Sequence, residues 1–409
     1  MFRTLLAAAV FTSLAGSAFA QDVTQSFSQI ERGGYLAKAG DCVACHTGPG
    51  QQPYAGGLAL ETPFGKIVSP NITPDSETGI GAWTDDEFVA AMHDGRGRNG
   101  KRLYPAMPYP AYTKVSRADA LAIFAYLKTI QPVRHAVESN QLPFPFNIRQ
   151  SLVFWNALNF TPGEFKPDPK KSAEWNRGAY LVEGLAHCGT CHTPKNILGG
   201  DKTSEAYTGG TLQDWFAPDI TANKHTGIGD WGVEDIVKYL KTGANDYTLA
   251  SGPMSEEIVH SSSGMNDGDL KAIAVYLKGI NADKQPPKPA PLPASDKHMV
   301  AGAAIYKDNC AACHLDSGEG APKIFPSLAA STLVQSREPT TLIRLVLEGS
   351  RAVSTKDAVT APAMPAFGWR LTDEQAASVL TYIRNTWGNA AAPVDAGAVA
   401  KMRKRSAGN

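Results

Sequence analysis

Beyond residue 20 the sequence lacks any long apolar run, and it carries no net charge. No later stretch approaches the roughly 18 consecutive apolar residues that a membrane-spanning helix needs. Lysine and arginine together number 39, as do aspartate and glutamate, so no overall basic field points to a nucleic-acid partner. No alternating apolar pattern is long enough to predict a β-sheet. The hydrophobic fraction of 43% and the charged fraction of 19% are typical of a globular protein.

Residues 1–20 have the three parts of a secretory signal peptide. Arg3 provides the positive charge, residues 5–14 form the apolar segment, and an Ala-Phe-Ala cleavage sequence ends at Ala20. The apolar segment is too short to form a stable membrane span, which argues against an uncleaved anchor. We therefore expect export to the periplasm with Gln21 as the first mature residue. There the chain is either free in solution or associated peripherally with the outer face of the inner membrane.

The six cysteines form three pairs, and a histidine directly follows each pair. The three motifs are Cys42-x-x-Cys45-His46, Cys188-x-x-Cys191-His192 and Cys310-x-x-Cys313-His314. C-x-x-C-H is the attachment signature of c-type haem, in which the two thiols form thioethers with the haem vinyl groups and the histidine coordinates the iron. The sequence therefore predicts three covalently bound haem c groups, one for each motif.

Two alternatives account for the cysteines less well. Disulfides are the usual state of cysteines in exported proteins, but they do not explain the histidines. With nine histidines in 409 residues, chance would place one after all three pairs in roughly one of 90,000 such chains. A zinc site would need two pairs to come together, and it would leave the third pair unmatched.

Two parts of the chain repeat each other at a nearly constant offset. Equivalent positions are separated by 146 residues from Cys42 to Cys188, by 148 from Trp83 to Trp231, and by 150 from Ala122 to Ala272. An offset that holds across three separate blocks indicates the duplication of a whole domain. The third unit, around Cys310, is shorter and more divergent.

These patterns predict an all-α fold of three tandem cytochrome c domains, the first two related by internal duplication. Each unit closes with a helix, which opens with a capping pattern at Ser116 and Asp119 in unit one and at Thr372 and Gln375 in unit three. The predicted boundaries are signal peptide 1–20, domain one 21–130, aromatic-rich linker 131–171, domain two 172–280, proline-rich linker 281–294, domain three 295–390 and basic tail 391–409.

Each unit offers one methionine in a proline-containing loop before its closing helix. They are Met107 in YPAMPYP, Met254 in SGPMSEE and Met364 in APAMPAF. Methionine as the sixth iron ligand raises the reduction potential and suits electron transfer. In unit two Met265 competes, but Met254 lies 147 residues after Met107, within the range of the duplication, whereas Met265 lies 158 residues after it. Six-coordinate iron at each site leaves no catalytic haem, and we predict no catalytic residue.

The segments outside the units have unusual compositions. The linker at 131–171 is rich in phenylalanine and tryptophan, so it either packs against its own domains or forms a docking surface for a partner subunit. The tail at 391–409 is rich in alanine and then basic. We expect the tail to be disordered and solvated, with attraction to anionic lipid as the alternative.

The sequence resembles one known family. The three C-x-x-C-H motifs, the PNIT and TGIG blocks, the LPFPFN linker and the MPAFGWRLTDEQ ending are similar to the triple-haem cytochrome c subunits of membrane-associated periplasmic dehydrogenases. Members of that family serve gluconate 2-dehydrogenase, fructose dehydrogenase, quinoprotein alcohol dehydrogenase and some molybdenum-containing dehydrogenases of aldehydes or N-heterocycles. The resemblance covers residues 30–390, and the short, weakly apolar tail departs from the apolar ending of members that hold their complex at a membrane.

The resemblance implies an electron-transfer subunit. A flavin-, quinone- or molybdenum-containing dehydrogenase subunit would oxidise a sugar, alcohol or aldehyde and pass its electrons to this chain. The chain would deliver them to ubiquinone or to a terminal oxidase of the respiratory chain. A free-standing periplasmic electron shuttle is the alternative function, whereas a haem peroxidase or oxidase is disfavoured by the three methionines.

Overall fold

The computed structural model describes residues 18–281, 287–322, 324–329 and 331–406, with side chains from residue 27 onwards. The predicted signal peptide lies almost entirely outside the described residues, and so does part of the proline-rich linker. The described chain forms three units of similar construction in sequence order, followed by a C-terminal helix.

Units one and two have their α-helices and β-strands in the same order and differ in the positions of their 3-10 and π-helical turns. Unit one contains α1 (Ala18–Ala39), α2 (Cys42–Cys45), β1 (Ala59–Thr62), β2 (Gly65–Val68), α3 (Asp85–Asp94), a 3-10 turn (Arg98–Gly100), α4 (Tyr109–Tyr112) and α5 (Arg117–Leu127). The linker contains a 3-10 turn (Arg149–Ser151) and α6 (Leu152–Asn159). Unit two contains α7 (Ala173–Tyr180), a π-helical turn (Leu181–Leu185), α8 (Gly189–His192), a 3-10 turn (Thr203–Glu205), β3 (Gly210–Leu212), β4 (Trp215–Ala217), α9 (Val233–Thr242), α10 (Pro253–His260), a 3-10 turn (Ser262–Gly264) and α11 (Asp267–Gly279).

Unit three has a related order with a different middle part. It contains α12 (Lys297–Asn309), α13 (Ala311–His314), α14 (Thr332–Gln335), α15 (Thr340–Glu348), β5 (Ser350–Arg351), β6 (Ala363–Met364) and α16 (Asp373–Ile383), and α17 (Ala396–Ser406) follows it. The predicted capping patterns are confirmed: the Ser116 hydroxyl accepts from the Asp119 amide, and Thr372 and Gln375 form a reciprocal capping box.

The fold is mainly α, and the all-α prediction needs one correction. Each unit also contains a two-stranded antiparallel hairpin: β1 with β2, β3 with β4, and β5 with β6. The strands are only two to four residues long. A strand of that length has too few alternating positions to be recognised from the sequence.

The first and last helices of each unit cross at a glycine. An added Cβ would lie 1.8 Å from the carbonyl oxygen of Ala122 at Gly33, 1.9 Å from that of Ala272 at Gly178, and 2.3 Å from that of Ser378 at Gly302. These gaps are far shorter than any van der Waals contact, so only glycine allows the two backbones to approach this closely. The crossing helps to position each C-x-x-C-H motif, because the motif follows the first helix closely, after a π-helical turn in unit two.

Units one and two share one hydrophobic core, whereas unit three has its own. The shared core contains Leu36 and Phe124 from unit one together with Leu185 and Leu270 from unit two, all of them buried. The second core contains buried side chains of α15 and α16 and also Val399 and Met402 of α17. The first two units therefore pack as one body.

The C-terminal helix corrects the prediction of a solvated tail. Val399 is fully buried, and the Arg403 guanidinium donates 2.8 Å hydrogen bonds to the Asp373 carboxylate and to the carbonyl oxygen of Leu371. Arg405 forms an ion pair with Asp214 of unit two. Val399 and Met402 lie three residues apart and so face the same side, a pattern that the average composition of the tail conceals. Within the described residues, no helix combines the length and apolar character needed to span a bilayer.

The linker packs on unit one and also leaves large apolar side chains in solvent. Leu152 is buried, and the rings of Trp155 and Phe160 contact the ring of Tyr109 with centroid distances of 6.3 and 5.2 Å. Other members of the linker, Phe144 and Phe154 among them, are exposed. The expectation that the linker packs against its own domains therefore holds for only part of its apolar side chains.

Candidate haem sites

Each C-x-x-C-H motif forms a single helical turn at the end of the first helix of its unit. The turns are α2, which begins at Cys42, and α8 and α13, whose N-cap residues are Cys188 and Cys310. In each motif the second cysteine lies about one helical turn after the first. All six cysteines lie within the described residues, and none of them is paired in a disulfide. Cys45 is exposed and the other five are half-buried. The thiols of each motif are thus available to a group bound beside the turn.

The histidine of each motif is held by the carbonyl oxygen of a proline. The Nδ1-to-oxygen distances are 2.8 Å from His46 to Pro70, 2.7 Å from His192 to Pro218, and 3.0 Å from His314 to Pro326. A carbonyl oxygen can only accept, so Nδ1 carries the proton and Nε2 keeps its lone pair. Burial also lowers the pKa of all three histidines, which favours the neutral ring. A neutral imidazole with a free Nε2 lone pair is the form that binds iron.

The three prolines were not recognised as functional residues in the sequence. In units one and two the signal was present, because Pro70 and Pro218 each open a repeated block, PNIT and PDIT, 148 residues apart. The second residue of each block forms an Asx turn: Asn71 accepts from the Thr73 amide at 2.9 Å and Asp219 from the Thr221 amide at 2.8 Å. These turns hold the carbonyl that orients the histidine. Unit three has no such block.

The three predicted methionine ligands are half-buried and lie on different local elements. Met107 is half-buried against the shared core, in the loop before α4. Met254 is the second residue of α10. Met364 lies in β6 opposite Ser350 and is half-buried against the core of unit three. All three side chains thus remain partly accessible.

Met265, the competitor of Met254, is a core residue. Its side chain is 2% exposed, and it directly precedes Asn266, the N-cap residue of α11. Val115 occupies the same place before the N-cap residue Ser116 in unit one and is also completely buried. Because the position is filled by a valine in one unit and a methionine in the other, its role is packing. This equivalence supports Met254 as the ligand candidate in unit two.

Comparisons with known proteins agree with this geometry. The cytochrome c family model matches residues 30–131 and 299–387. The cytochrome c subunit of gluconate 2-dehydrogenase from Pantoea cypripedii is 40% identical over 424 residues, which cover 99% of this chain and 96% of that protein. The chain belongs to the family of cytochrome c subunits of dehydrogenase complexes.

Two further relatives come from the same family. The cytochrome c subunit of a quinone alcohol dehydrogenase from Gluconacetobacter polyoxogenes is 36% identical over 423 residues, or 99% of this chain and 90% of that protein. The cytochrome subunit of fructose dehydrogenase from Gluconobacter japonicus is 38% identical over 403 residues, or 91% of this chain and 82% of that protein. These subunits serve different dehydrogenases, so family membership alone leaves the substrate of the catalytic partner undefined.

The residues present fit the covalently bound haem c of this family. Each motif provides two unpaired thiols and one neutral histidine, which are the donors for two thioether bonds and one axial iron ligand, and each unit also contains a half-buried methionine as the candidate for the second axial ligand. A zinc site has no comparable support, because within the described ranges no three His, Cys, Asp or Glu side chains form a metal-binding cluster.

The first two sites adjoin each other. The Tyr112 hydroxyl of α4 donates to the carbonyl oxygen of Gly40 at 2.8 Å, and the Ser261 hydroxyl, directly after α10, reaches that of Ala39 at 3.3 Å. Tyr112 follows the candidate ligand Met107 of unit one, and Ser261 follows the candidate ligand Met254 of unit two. Both side chains therefore contact the turn that leads into the first motif. Although Cys45 as a whole residue is exposed, the surrounding protein desolvates its thiol and raises the pKa of that thiol to about 12, with smaller contributions from the charges of Asp41 and Cys191. The second motif is thus within electrostatic range of the first.

Two carboxyl groups lie at this junction. Burial raises the pKa of Asp41 to about 8, and the nearby carboxylates of Glu257 and Glu256 add to the effect. Burial also raises the pKa of Glu257 to about 7, opposed by hydrogen bonds from Ser262 and Ser261. One oxygen of Asp41 is buried without a hydrogen-bond partner. The space between the first two motifs therefore favours uncharged carboxyl groups.

Unit three docks on the hairpin that follows the second motif. The Thr341 hydroxyl accepts from the Phe216 amide at 2.8 Å and donates to the Phe216 carbonyl oxygen at 3.0 Å. The Arg344 guanidinium lies over the ring of Trp215 at 4.4 Å. Unit two therefore contacts both of the other units, and the second site occupies the middle of the chain.

Proposed function

We propose that this chain carries three haem c groups and relays electrons from the catalytic subunit of a periplasmic dehydrogenase to a quinone or a terminal oxidase. The observation that supports this most directly is the histidine held at Nδ1 by a proline carbonyl, which recurs after all three C-x-x-C-H motifs. Three equivalent sites in one chain, with no predicted catalytic residue, suit a relay. The partner subunit oxidises a sugar, an alcohol or an aldehyde with a flavin, quinone or molybdenum cofactor.

The ligands of each site follow from the donor set. The thioether bonds form at Cys42 and Cys45, Cys188 and Cys191, and Cys310 and Cys313; the axial pairs are His46 with Met107, His192 with Met254, and His314 with Met364. When bound, each haem supplies a one-electron iron couple. The chain itself supplies the orientation of the imidazole through the proline carbonyl, the partly buried surroundings of the methionine, and the short separation of the first two motifs.

Three cytochrome c domains in tandem, the first two an internal duplication, are part of the same proposal. Its support is the glycine at the helix crossing of every unit and the equivalent order of elements in units one and two. Unit two connects the other two units, through the shared core on one side and through Phe216 and Thr341 on the other. Export by the signal peptide at residues 1–20 places this relay in the periplasm.

The catalytic partner decides between a subunit and a free-standing shuttle. The full haem-loaded chain, tagged at its C-terminus in its native host, should co-purify with a larger subunit that contains a flavin, quinone or molybdenum cofactor. Addition of that subunit's substrate should reduce the haems, as followed by their visible absorption. A chain that elutes alone and stays oxidised with sugars, alcohols and aldehydes would instead be a free-standing periplasmic shuttle.

A further inference from the structure

Six exposed apolar side chains form what we call the aromatic face. They are Phe144, Phe146 and the α6 residues Phe154 and Leu158, together with Ile197 and Leu198 from the loop after the second motif. The exposed fraction is 79% for Phe144, 75% for Phe154, 72% for Leu158 and 93% for Ile197. Single exposed apolar residues are ordinary, but a group of this size marks an interaction surface.

Hydrogen bonds join two of the three segments of the aromatic face. The Trp155 indole N–H donates to the carbonyl oxygen of Leu198 at 2.8 Å, and the Asn196 amide donates to the side chain of Asn159 at 2.8 Å. These bonds join α6 to the loop that carries Ile197 and Leu198. The Phe146 ring packs on Phe64, with ring centroids 5.0 Å apart.

Helix α6 directs two polar side chains toward the protein and two large apolar side chains toward solvent, while Leu152 is buried and Trp155 packs against Tyr109. The Asn156 side chain accepts from the buried Tyr109 hydroxyl at 2.6 Å, and Asn159 is bonded to Asn196. Phe154 and Leu158, one turn apart, are exposed instead. The exposed side of a surface helix that faces water usually carries polar or charged residues instead. The exposed side of the helix therefore suits an apolar environment outside the protein.

The aromatic face also lacks charge. Arg149 is the only charged residue between positions 139 and 163, and none occurs between positions 196 and 200. The Arg149 guanidinium donates to the carbonyl oxygen of Arg102 at 2.7 Å and lies 4.6 Å from the centre of the Tyr104 ring. Arg149 is thus bound within the protein, and the two segments present no complementary charge to a polar partner.

The aromatic face lies beside the first two sites. The Tyr104 hydroxyl, three residues before Met107, donates to the carbonyl oxygen of Phe146 at 2.8 Å. Tyr109, two residues after Met107, contacts the ring of Trp155. On the other side, Ile197 follows His192 by five residues. The apolar surface is therefore continuous with the loops that hold the ligands of sites one and two.

We propose that the aromatic face lies on the surface of a lipid bilayer, with its phenylalanine, leucine and isoleucine side chains inserted among the acyl chains. The inference rests on the proposed function with a quinone as acceptor, because a quinone with an isoprenoid chain stays in the bilayer and must be met at its surface. An uncharged face of individually protruding side chains suits a bilayer, which needs no matching charges or pockets. A soluble catalytic subunit would have to supply a pocket for each protruding side chain.

Sedimentation with vesicles tests the proposal. The haem-loaded full chain is mixed with sucrose-loaded vesicles of pure phosphatidylcholine, which carry no net charge. We expect the wild-type chain to sediment with the vesicles and a Phe154→Ser/Leu158→Ser variant to bind at least about tenfold more weakly. The matched control is Val300→Ser/Val359→Ser, which replaces two exposed apolar side chains of unit three and should bind like the wild type. Visible absorption and far-ultraviolet circular dichroism establish that each variant is folded and haem-loaded.

Two results would overturn the bilayer proposal. One is a wild-type chain that stays in the supernatant, or face and control variants that bind vesicles equally well. The other is a face variant that keeps vesicle binding but loses the co-purifying catalytic subunit, which would make the aromatic face a protein interface. In either case the haem content of the chain and its reduction by the partner's substrate stay separately measurable, so a failure here is distinct from a failure of the proposed function.

Discussion

The Tyr35 hydroxyl of unit one donates a 2.6 Å hydrogen bond to the carboxylate of Asp269 in unit two. An equivalent hydrogen bond runs from unit two to unit one: the Tyr180 hydroxyl donates to the Asp119 carboxylate at 2.6 Å. Each aspartate also holds an arginine of its own unit at 2.7 Å, Arg32 for Asp119 and Arg177 for Asp269. The two units therefore exchange equivalent tyrosines across a pseudo-twofold relationship, as in a symmetric dimer.

Removal of either tyrosine hydroxyl should destabilise the first two units to a similar degree. Tyr35→Phe and Tyr180→Phe each delete one hydrogen bond to a charged, buried acceptor, which costs about 1.5 to 3 kcal/mol of the free energy of unfolding. Guanidinium denaturation of the haem-loaded chain measures the loss. Tyr247→Phe is the control, because its hydroxyl makes only an exposed contact of 3.4 Å. A tyrosine variant no less stable than the control would contradict the exchange.

The glycines at the helix crossings should tolerate no side chain. Gly33→Ala, Gly178→Ala and Gly302→Ala each place a methyl group against a facing carbonyl oxygen, and the cost is about 3 kcal/mol, the upper end of typical overpacking. Gly268→Ala in α11 is the matched control, since it meets no backbone atom and gains about 0.5 to 1 kcal/mol of helix stability. Thermal unfolding compares the four variants. Equal transition temperatures for the crossing variants and the control would show that the helix pairs are not in close contact.

The two methionines of unit two should behave differently when replaced. Met254→Leu removes a proposed axial ligand, so the ferrous chain should bind carbon monoxide at one haem and the potential of that haem should fall. Met265→Leu is a swap of similar volume in the core, so it should cost less than about 1.5 kcal/mol and open no iron. Carbon monoxide binding, followed by absorption, separates the two. Ready binding by Met265→Leu but not by Met254→Leu would reverse the assignment.

Stability should depend on pH through the carboxyl group of Glu257. Burial raises its pKa from an ordinary 4.5 to about 7, so the folded chain binds this proton more tightly than the unfolded chain. The contribution of Glu257 to stability therefore falls as the pH rises from about 4.5 to about 7, and it stays constant above that range. Glu257→Gln removes this slope and should be more stable than the wild type at high pH.

The measurement is the difference in unfolding free energy between Glu257→Gln and the wild type, taken at intervals across that pH range. Glu319→Gln, which replaces an exposed carboxylate of unit three, is the control and should keep the wild-type pH dependence. A difference between Glu257→Gln and the wild type that does not change with pH would show that this carboxyl group titrates normally.

Much of the site could be predicted because its chemistry lies in side-chain identity and spacing. The C-x-x-C-H motifs and the candidate methionines can be recognised from residue type and spacing, and the repeat offset favours Met254 over Met265 as the predicted ligand. The carbonyls of Pro70, Pro218 and Pro326 were missed, because every residue has a backbone carbonyl and only the fold decides which one meets a histidine. The exchange of Tyr35 and Tyr180 depends on how two units pack, which no local pattern encodes.

The fold was predictable in its helices and less so elsewhere. The capping residues Ser116 and Thr372 marked the starts of two closing helices, because caps are local signals. The strands of the hairpins are too short to show the alternation of apolar and polar residues by which a strand is recognised in a sequence. Helix α17 was missed because its stability comes from Val399 and Met402 docking on unit three, and tertiary packing of this kind overrides composition.

The count of haems per chain tests the central claim most directly. Purified full-length chain, analysed by alkaline pyridine absorption against protein concentration, should contain three haem c groups. Variants in which both cysteines of one motif become alanine, Cys42/Cys45, Cys188/Cys191 or Cys310/Cys313, should each contain two. A wild-type chain with two haems, or a double variant that keeps the full wild-type number, would contradict the assignment of one haem to each motif.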